Sequence, residues 1–301
     1  MKRFFVFIVL VILSSCNNNE SKLISGDSPK EGTINISVDE SFKPVIEQQL
    51  KIYKSAFPKS TINVSYKSEV DCFKDLLKDS TRLIIVARGL SKQETDYFNN
   101  KLSFKPQYAI VAYDAVAAIV NIKNADSVFT INDLKKILSG EKKYTAILDG
   151  TNATSTVKYL QDSILKGGKF GTNVVAVNGS DSVIETIKKT PNAIGFVGNS
   201  WVNDGYNEEQ LQNLKQMKLA ALECVRCEEK DYFAKASQAT LMYGQYPLAR
   251  PLYFIVKENW TGLGTGFTNF LSQERGQLIF RRSCLAPAKI NFNKRVSKLD
   301  N

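Results

Sequence analysis

The chain has 301 residues, 40 Lys and Arg against 30 Asp and Glu for a formal net charge of +10, and no histidine. Without imidazole there is no Ser-His-Asp triad, no Cys-His pair and none of the common zinc or iron sites, and neither a persuasive Ser-Lys pair nor an acid pair takes their place. The positive charge is spread without a dense basic run, which fits a solvated surface with some attraction for anions and no nucleic-acid face.

The N-terminus carries an export signal. Lys2 and Arg3 precede an apolar run from Phe4 to Leu13, too short to span a bilayer and right for a signal core. Leu13-Ser14-Ser15-Cys16 looks like a lipobox. On that reading residues 1–15 are removed, Cys16 is lipidated, and residues 16–31 tether the folded part to a membrane of the periplasm or cell envelope. An ordinary signal followed by a free cysteine is the alternative. Cleavage leaves about 286 residues with a net charge of about +8, enough on length for about two domains.

Strands then alternate with helices. Thr33 to Val38 alternates polar and apolar residues; Ile46, Leu50, Tyr53 and Phe57 share a helical face that Pro58 ends; Thr61 to Tyr66 alternates again. A helix around Phe73 to Leu77 leads to Leu83–Val86, continuously apolar as a strand covered on both faces would be. A long apolar strand from Ala109 carries one acid, Asp114. Thr130 with Asp133 then opens a helix whose Ile131, Leu134, Ile137 and Leu138 lie on one face, and Gly140 stops it.

The middle of the chain repeats the alternation: strand Tyr144–Leu148, loop Asp149–Ala153, a helix with Val157, Leu160, Ile164 and Leu165 inward, strand Val174–Val177, a helix capped by Ser182 and Glu185, and strand Ala193–Val197. Gly244 to Pro251 interrupts the pattern before strand Leu252–Val256, and helical segments follow at Phe267–Leu271 and Glu274–Arg281. These elements imply two α/β lobes, 32–116 with 251–296 and 117–250. The chain crosses between them near Asp114 to Asn121 and again near Tyr246 to Pro251, and such a double connection is a natural hinge.

Beyond Cys16, four cysteines (Cys72, Cys224, Cys227, Cys284) allow three disulfide pairings. Cys224-Val225-Arg226-Cys227 suits a local disulfide, a redox pair or half of a zinc site. Hydroxyls gather where helices would begin: Asp39-Glu40-Ser41-Phe42, Thr154-Ser155-Thr156 and Gly179-Ser180-Asp181-Ser182. Unpaired N–H groups at such ends, with hydroxyls beside them, hold oxyanions, although Ser and Thr are also the commonest plain caps.

The segments VAYDAVAAIVNIKN, FTINDLKKILSG, ATSTVKYL, NAIGFVG and YPLARPLYFIVK occur in the order and approximate spacing of the periplasmic phosphate-binding proteins that feed ABC importers. From Gly32 to Pro287 the chain resembles that family, as a Bacteroidetes-like lipoprotein. The resemblance implies the α/β, two-lobed type II periplasmic binding protein fold, closing on phosphate or a related oxyanion between its lobes. It also implies a permease partner, a monomer and no cofactor or metal.

The family's first loop, Gly-Ser-Ser-Thr-Val-x-Pro, looks like Val38–Pro44 and sets Ser41 and the backbone of Phe42 at the anion. Its Ser-Gly-Thr looks like Thr154-Ser155-Thr156; its second loop corresponds loosely to Lys67-Ser68-Glu69, offering Ser68; its Ser-Arg-x-Leu matches Ala87-Arg88-Gly89-Leu90, offering Arg88. The chain departs from the pattern in three respects. Arg82 stands where the family has an acid; no arginine lies near Gly150, although Lys158 lies one turn into the following helix; and Glu40 and Glu69 add negative charge near the loops. Two other readings remain open: a tethered sensor or interaction module with a different ligand or none, and an enzyme using Cys224 and Cys227.

Overall fold

A computed structural model describes residues 27–142, 144–151 and 154–289. In chain order the elements are β1 (Gly32–Asp39), α1 (Lys43–Ala56), β2 (Ser60–Lys67), α2 (Glu69–Leu76), β3 (Thr81–Val86), α3 (Lys92–Leu102), β4 (Gln107–Asn121), β5 (Val128–Phe129), α4 (Ile131–Ser139), β6 (Thr145–Leu148), α5 (Ser155–Ser163), β7 (Val174–Ala176) and α6 (Gly179–Lys189). They continue as β8 (Ala193–Gly198), α7 (Glu208–Asn213), β9 (Met217–Leu219), β10 (Ala221–Glu223), β11 (Phe233–Ala234), α8 (Gln238–Met242), β12 (Ala249–Val256), α9 (Leu263–Ser272), α10 (Glu274–Arg282) and β13 (Ala286–Pro287). Single 3-10 turns lie at Glu40–Phe42 and Asn199–Trp201.

The 15-residue strand β4 organises the molecule. Its first half pairs antiparallel with β12 and its second half, Val116–Val120, pairs antiparallel with β8. One sheet therefore runs through both halves in the order β2-β1-β3-β12-β4-β8-β6-β7, with β9 and β13 also on β4. The outer strands β1, β2 and β3 are mutually parallel, as are β6, β7 and β8, because each is reached through a helix.

Two apolar cores sit on either side of the crossing. One gathers Ile36, Val38, Phe42, Ile46, Leu83, Leu252 and Phe267; the other gathers Val116, Ile119, Leu134, Leu160, Ile187 and Phe196. A smaller cluster of Cys72, Leu76 and Phe98 lies under α2 and α3. Each fully buried Leu, Ile or Phe contributes about 1.5–3 kcal/mol. The arrangement is the two-lobed α/β fold that the alternating pattern implies, with the lobes joined at β4 and at the start of β12.

Several local expectations need correction. The third hydroxyl cluster does not form a capping box from Ser182: α6 begins at Gly179, and the Ser182 hydroxyl instead donates to the Asn178 carbonyl. Helix α3 was hidden by its polar composition, though Ser91 and Glu94 form a complete capping box. Residues 27–31, assigned to the tether, are part of the body: Asp27 pairs with Arg82 and accepts from the Leu263 N–H, and the Tyr53 hydroxyl donates to the Pro29 carbonyl. The signal, Cys16 and the rest of the tether lie outside the described residues. Cys224 and Cys227 form a disulfide, while Cys72 and Cys284 are free. Among the described residues no helix is long and apolar enough to cross a membrane, and no group of three His, Cys, Asp or Glu could hold a metal.

Candidate functional site

The two lobes meet around Arg250. This residue follows the chain's return into β12, one strand away from Asp114 on β4, and the two are register partners in the ladder. Arg250 lies on the buried face of β12, where Leu252 and Phe254 follow it at the two-residue period. Its Nε and Nη2 donate to Asp114 Oδ2 at 3.1 and 2.9 Å. The other Asp114 oxygen accepts from the Asn199 N–H at 3.2 Å, and the Phe42 ring packs 4.7 Å from the guanidinium carbon.

The remaining guanidinium donors reach hydroxyls of both lobes. Nη2 donates to Ser41 Oγ at 2.9 Å, and Nη1 donates to Ser155 Oγ at 2.8 Å and Thr156 Oγ1 at 3.4 Å. Ser41 Oγ and Ser155 Oγ lie 3.3 Å apart, although 114 residues separate them in sequence. Burial alone would lower the Arg250 pKa, but Asp114, Asp39 and Asp149 more than offset that and hold the cation above its ordinary value.

Local sequence explains how each hydroxyl is aimed. Asp39 ends β1 and its Oδ1 accepts from the Ser41 N–H and O–H at 2.9 and 2.6 Å, folding the chain into the turn that starts α1. Thr154 caps α5 by accepting from the Val157 N–H and donating to Asp149 Oδ1 at 2.8 Å. Ser155 and Thr156 then occupy the first turn of α5, where backbone N–H groups lack helical partners and the helix end is positive. At Gly198 the lobes touch so closely that a Cβ would lie 2.3 Å from the Ser41 carbonyl oxygen, which requires glycine there.

Acids surround this cluster. Asp39 Oδ2 and Asp149 Oδ2 are buried without a partner. Burial, opposed by the Thr154 and Thr156 hydroxyls, lifts the Asp149 carboxyl to about 6. Glu69 accepts from the Ala87 N–H at 2.8 Å, tying the two neighbouring loops of the first lobe together. Its carboxyl is lifted to about 7, chiefly by burial and then by the charge of Asp39.

Ser41, Phe42, Ser155 and Thr156 therefore come together, and Thr154 stands just behind them as the cap. Phe42 contributes its ring beneath Arg250. Ser68 and Arg88 do not join the cluster. Ser68 caps α2, exchanging hydrogen bonds with Asp71. Arg88 makes a two-pronged ion pair with Glu94 at 2.8 Å on each side, its guanidinium carbon 3.6 Å from the Phe73 ring centroid. Arg82 faces Asp27 and Glu258 at the opposite end of β3, and Lys158 pairs with Asp162. Arg250, Asp114, Asp39 and Asp149 were missed as site residues; the signal was a single acid and a single base, each alone in an apolar strand.

Two lobes on one shared sheet meet at a buried cation that hydroxyls from both sides surround. A PBP superfamily domain matches residues 24–275, and the chain belongs to that superfamily. The phosphate-binding protein PstS of Pseudomonas aeruginosa is 25% identical over 228 residues. That match covers 68% of this chain and 66% of the relative, so the chain spans just under two thirds of that relative's length. Among solved structures, a Clostridium perfringens protein described as a phosphate ABC transporter substrate-binding protein, with bound phosphate, gives a TM-score of 0.69 at 19% identity, over 86% of this chain and 100% of that one. An ABC-type phosphate transport receptor from Vibrio cholerae gives 0.61 at 15% identity, over 85% and 100%. These superpositions speak for the fold.

Proposed function

We propose that the protein is an extracytoplasmic lipoprotein that binds phosphate, or a related oxyanion, between its lobes for delivery to an ABC importer. The observation that carries this reading is the convergence of Ser41, Ser155 and Thr156, from opposite lobes, on the Arg250 guanidinium. A guanidinium fork matches the paired oxygens of an oxyanion, and the hydroxyls and first-turn N–H groups of α5 supply further donors. An entering anion exchanges the guanidinium–hydroxyl contacts for its own, and because its partners come from both lobes it favours the closed form. The names carried by the Pseudomonas and Clostridium relatives support phosphate as the ligand and an importer permease as the partner.

Selectivity in this reading comes from the acids. A protonated phosphate can donate to Asp39 Oδ2 or Asp149 Oδ2, whereas a fully ionised sulfate meets only repulsion there. These two carboxylates take the part of the family acid whose position Arg82 occupies.

The reading as an enzyme using Cys224 and Cys227 as free thiols is disfavoured, since those sulfurs are joined, and burial pushes the Cys72 thiol up. Lipidation at Cys16 rests on the lipobox alone. Calorimetric titration of the soluble protein with phosphate and sulfate in separate runs tests the assignment. Phosphate heat with sulfate silent is expected; a folded protein silent to both would turn the reading to a tethered sensor or interaction module.

A further inference from the structure

The acidic residue next to Ser41 points away from Arg250 and crosses to the other lobe. Glu40 lies on the turn that precedes α1, and its carboxylate accepts from the Ser180 N–H at 3.1 Å and the Ser180 O–H at 2.9 Å. Ser180 is fully buried in the first turn of α6, so a carboxylate of one lobe is seated on a helix N-terminus of the other. Gly179, at φ 80°, shapes this seat, with its Cβ position 3.3 Å from a Glu40 oxygen. A second contact runs parallel to it on α1, where Gln48 donates to Asp204 at 2.7 Å.

We propose, resting on the reading of a cleft that closes over its ligand, that Glu40 is a latch between the lobes: its carboxyl docks on the first turn of α6 when they close. The turn that bears Glu40 packs against α1, α6, β8 and the turn at Asn199–Trp201. β8 and that turn bring no charge. Helix α6 brings Asp181 and Glu185, with Lys188 and Lys189 in its last turn; α1 brings Lys43, Glu47, Lys51 and Lys54; the flanking loops bring Asp39 and Asp149.

In the closed form burial lifts the Glu40 carboxyl from its ordinary value of 4.5 to about 7, with the charges of Asp149 and Asp39 adding to it, while the two Ser180 bonds pull the other way. Opening the cleft returns Glu40 to water. The closed form then holds a proton more tightly than the open form, so closure weakens as pH rises from about 4.5 to 7 and stays weakened above that. A neutral glutamine still accepts from Ser180 and has no charge to bury.

The test compares wild type, Glu40→Gln and Glu40→Ala with inorganic phosphate between pH 6 and pH 8. Because all three meet the same phosphate, its own titration cancels in the ratios. The wild-type Kd divided by the E40Q Kd is expected to rise severalfold, up to about tenfold, across that interval, with E40A weaker than E40Q throughout. Parallel wild-type and E40Q profiles would overturn the proposal. Small-angle scattering without phosphate separates the latch from the ligand: wild type expands between pH 6 and pH 8, E40Q stays compact and E40A is expanded at both. That pattern in proteins that bind no phosphate would sustain the latch and remove the ligand assignment, whereas three equal radii would remove the latch.

Discussion

Arg250 and Asp114 face each other across neighbouring antiparallel strands, both fully buried, joined by two hydrogen bonds of 2.9 and 3.1 Å to one carboxylate oxygen. Their strands are the two places where the chain passes between lobes, so the pair fixes the cation at the hinge while leaving Nη1 and part of Nη2 to face the hydroxyls. Removing one partner strands the other charge in the core. Asp114→Ala is expected to cost about 3–5 kcal/mol in urea unfolding. Asp114→Leu combined with Arg250→Met should return most of that stability while abolishing oxyanion binding. A double variant no more stable than D114A would show that the pair does not act as a unit.

The hydroxyls separate binding from folding. Ser155→Ala removes a partner of Arg250 at α5, and Ser41→Ala removes one at the opposite lobe. A hydrogen bond to a charged group contributes about 1.5–3 kcal/mol, so each variant should weaken phosphate binding by at least about tenfold. Calorimetry reads the affinity, and circular dichroism reads whether the fold survives.

Ser68 and Arg88 give the opposite expectation. Ser68→Ala loses the α2 cap and about 1 kcal/mol of stability, and Arg88→Ala loses its pair with Glu94 and its stack on Phe73. Neither touches the Arg250 cluster, so phosphate affinity should stay within about twofold of wild type. A tenfold loss in either would return that residue to the site.

Glu69 predicts a pH-dependent gain. Its folded pKa of about 7 lies above the ordinary 4.5, so the folded state holds the proton more tightly than the unfolded chain. Its contribution to stability therefore falls as pH rises from about 4.5 to 7 and stays reduced above that. Glu69→Gln keeps an acceptor for the Ala87 N–H and should raise stability at pH 8 by about 1–3 kcal/mol, with little change at pH 5. Chemical unfolding at the two pH values checks the sign.

The disulfide is local. Cys224 and Cys227 are three residues apart; the loop between them lines a pocket with Tyr159 and Ala249, but the hydrogen bonds of the Arg250 cluster run to Asp114, Ser41, Ser155 and Thr156 and not to this loop. Closing so short a loop stabilises by at most about 2 kcal/mol. Cys224→Ser with Cys227→Ser should lower the melting temperature slightly and leave phosphate binding unchanged.

Much of the fold was legible because local signals agree with it. The capping box at Thr130 and Asp133, the apolar face of α4 and the buried strand Leu83–Val86 all read directly from residue order. The site was legible only where a hydroxyl coincides with a helix start, as at Ser41 and Thr154–Thr156. The same signal at Ser68 marks the cap of α2, away from the Arg250 hydroxyls. Arg250 and Asp114 carry the charge of the cluster but lie 136 residues apart, and their meeting is set by the β4–β12 register, which no local pattern encodes. Arg88 looked equally suited from sequence; Glu94 and Phe73, on helices of the same lobe, decide that it turns elsewhere.

The most direct measurement is a crystal structure of the protein with arsenate, a phosphate analogue whose anomalous scattering locates it without ambiguity. The peak is expected between the lobes, within hydrogen-bond distance of the Arg250 guanidinium and of the Ser41, Ser155 and Thr156 hydroxyls. A peak elsewhere, or none in crystals of a protein that binds phosphate in solution, would contradict the site.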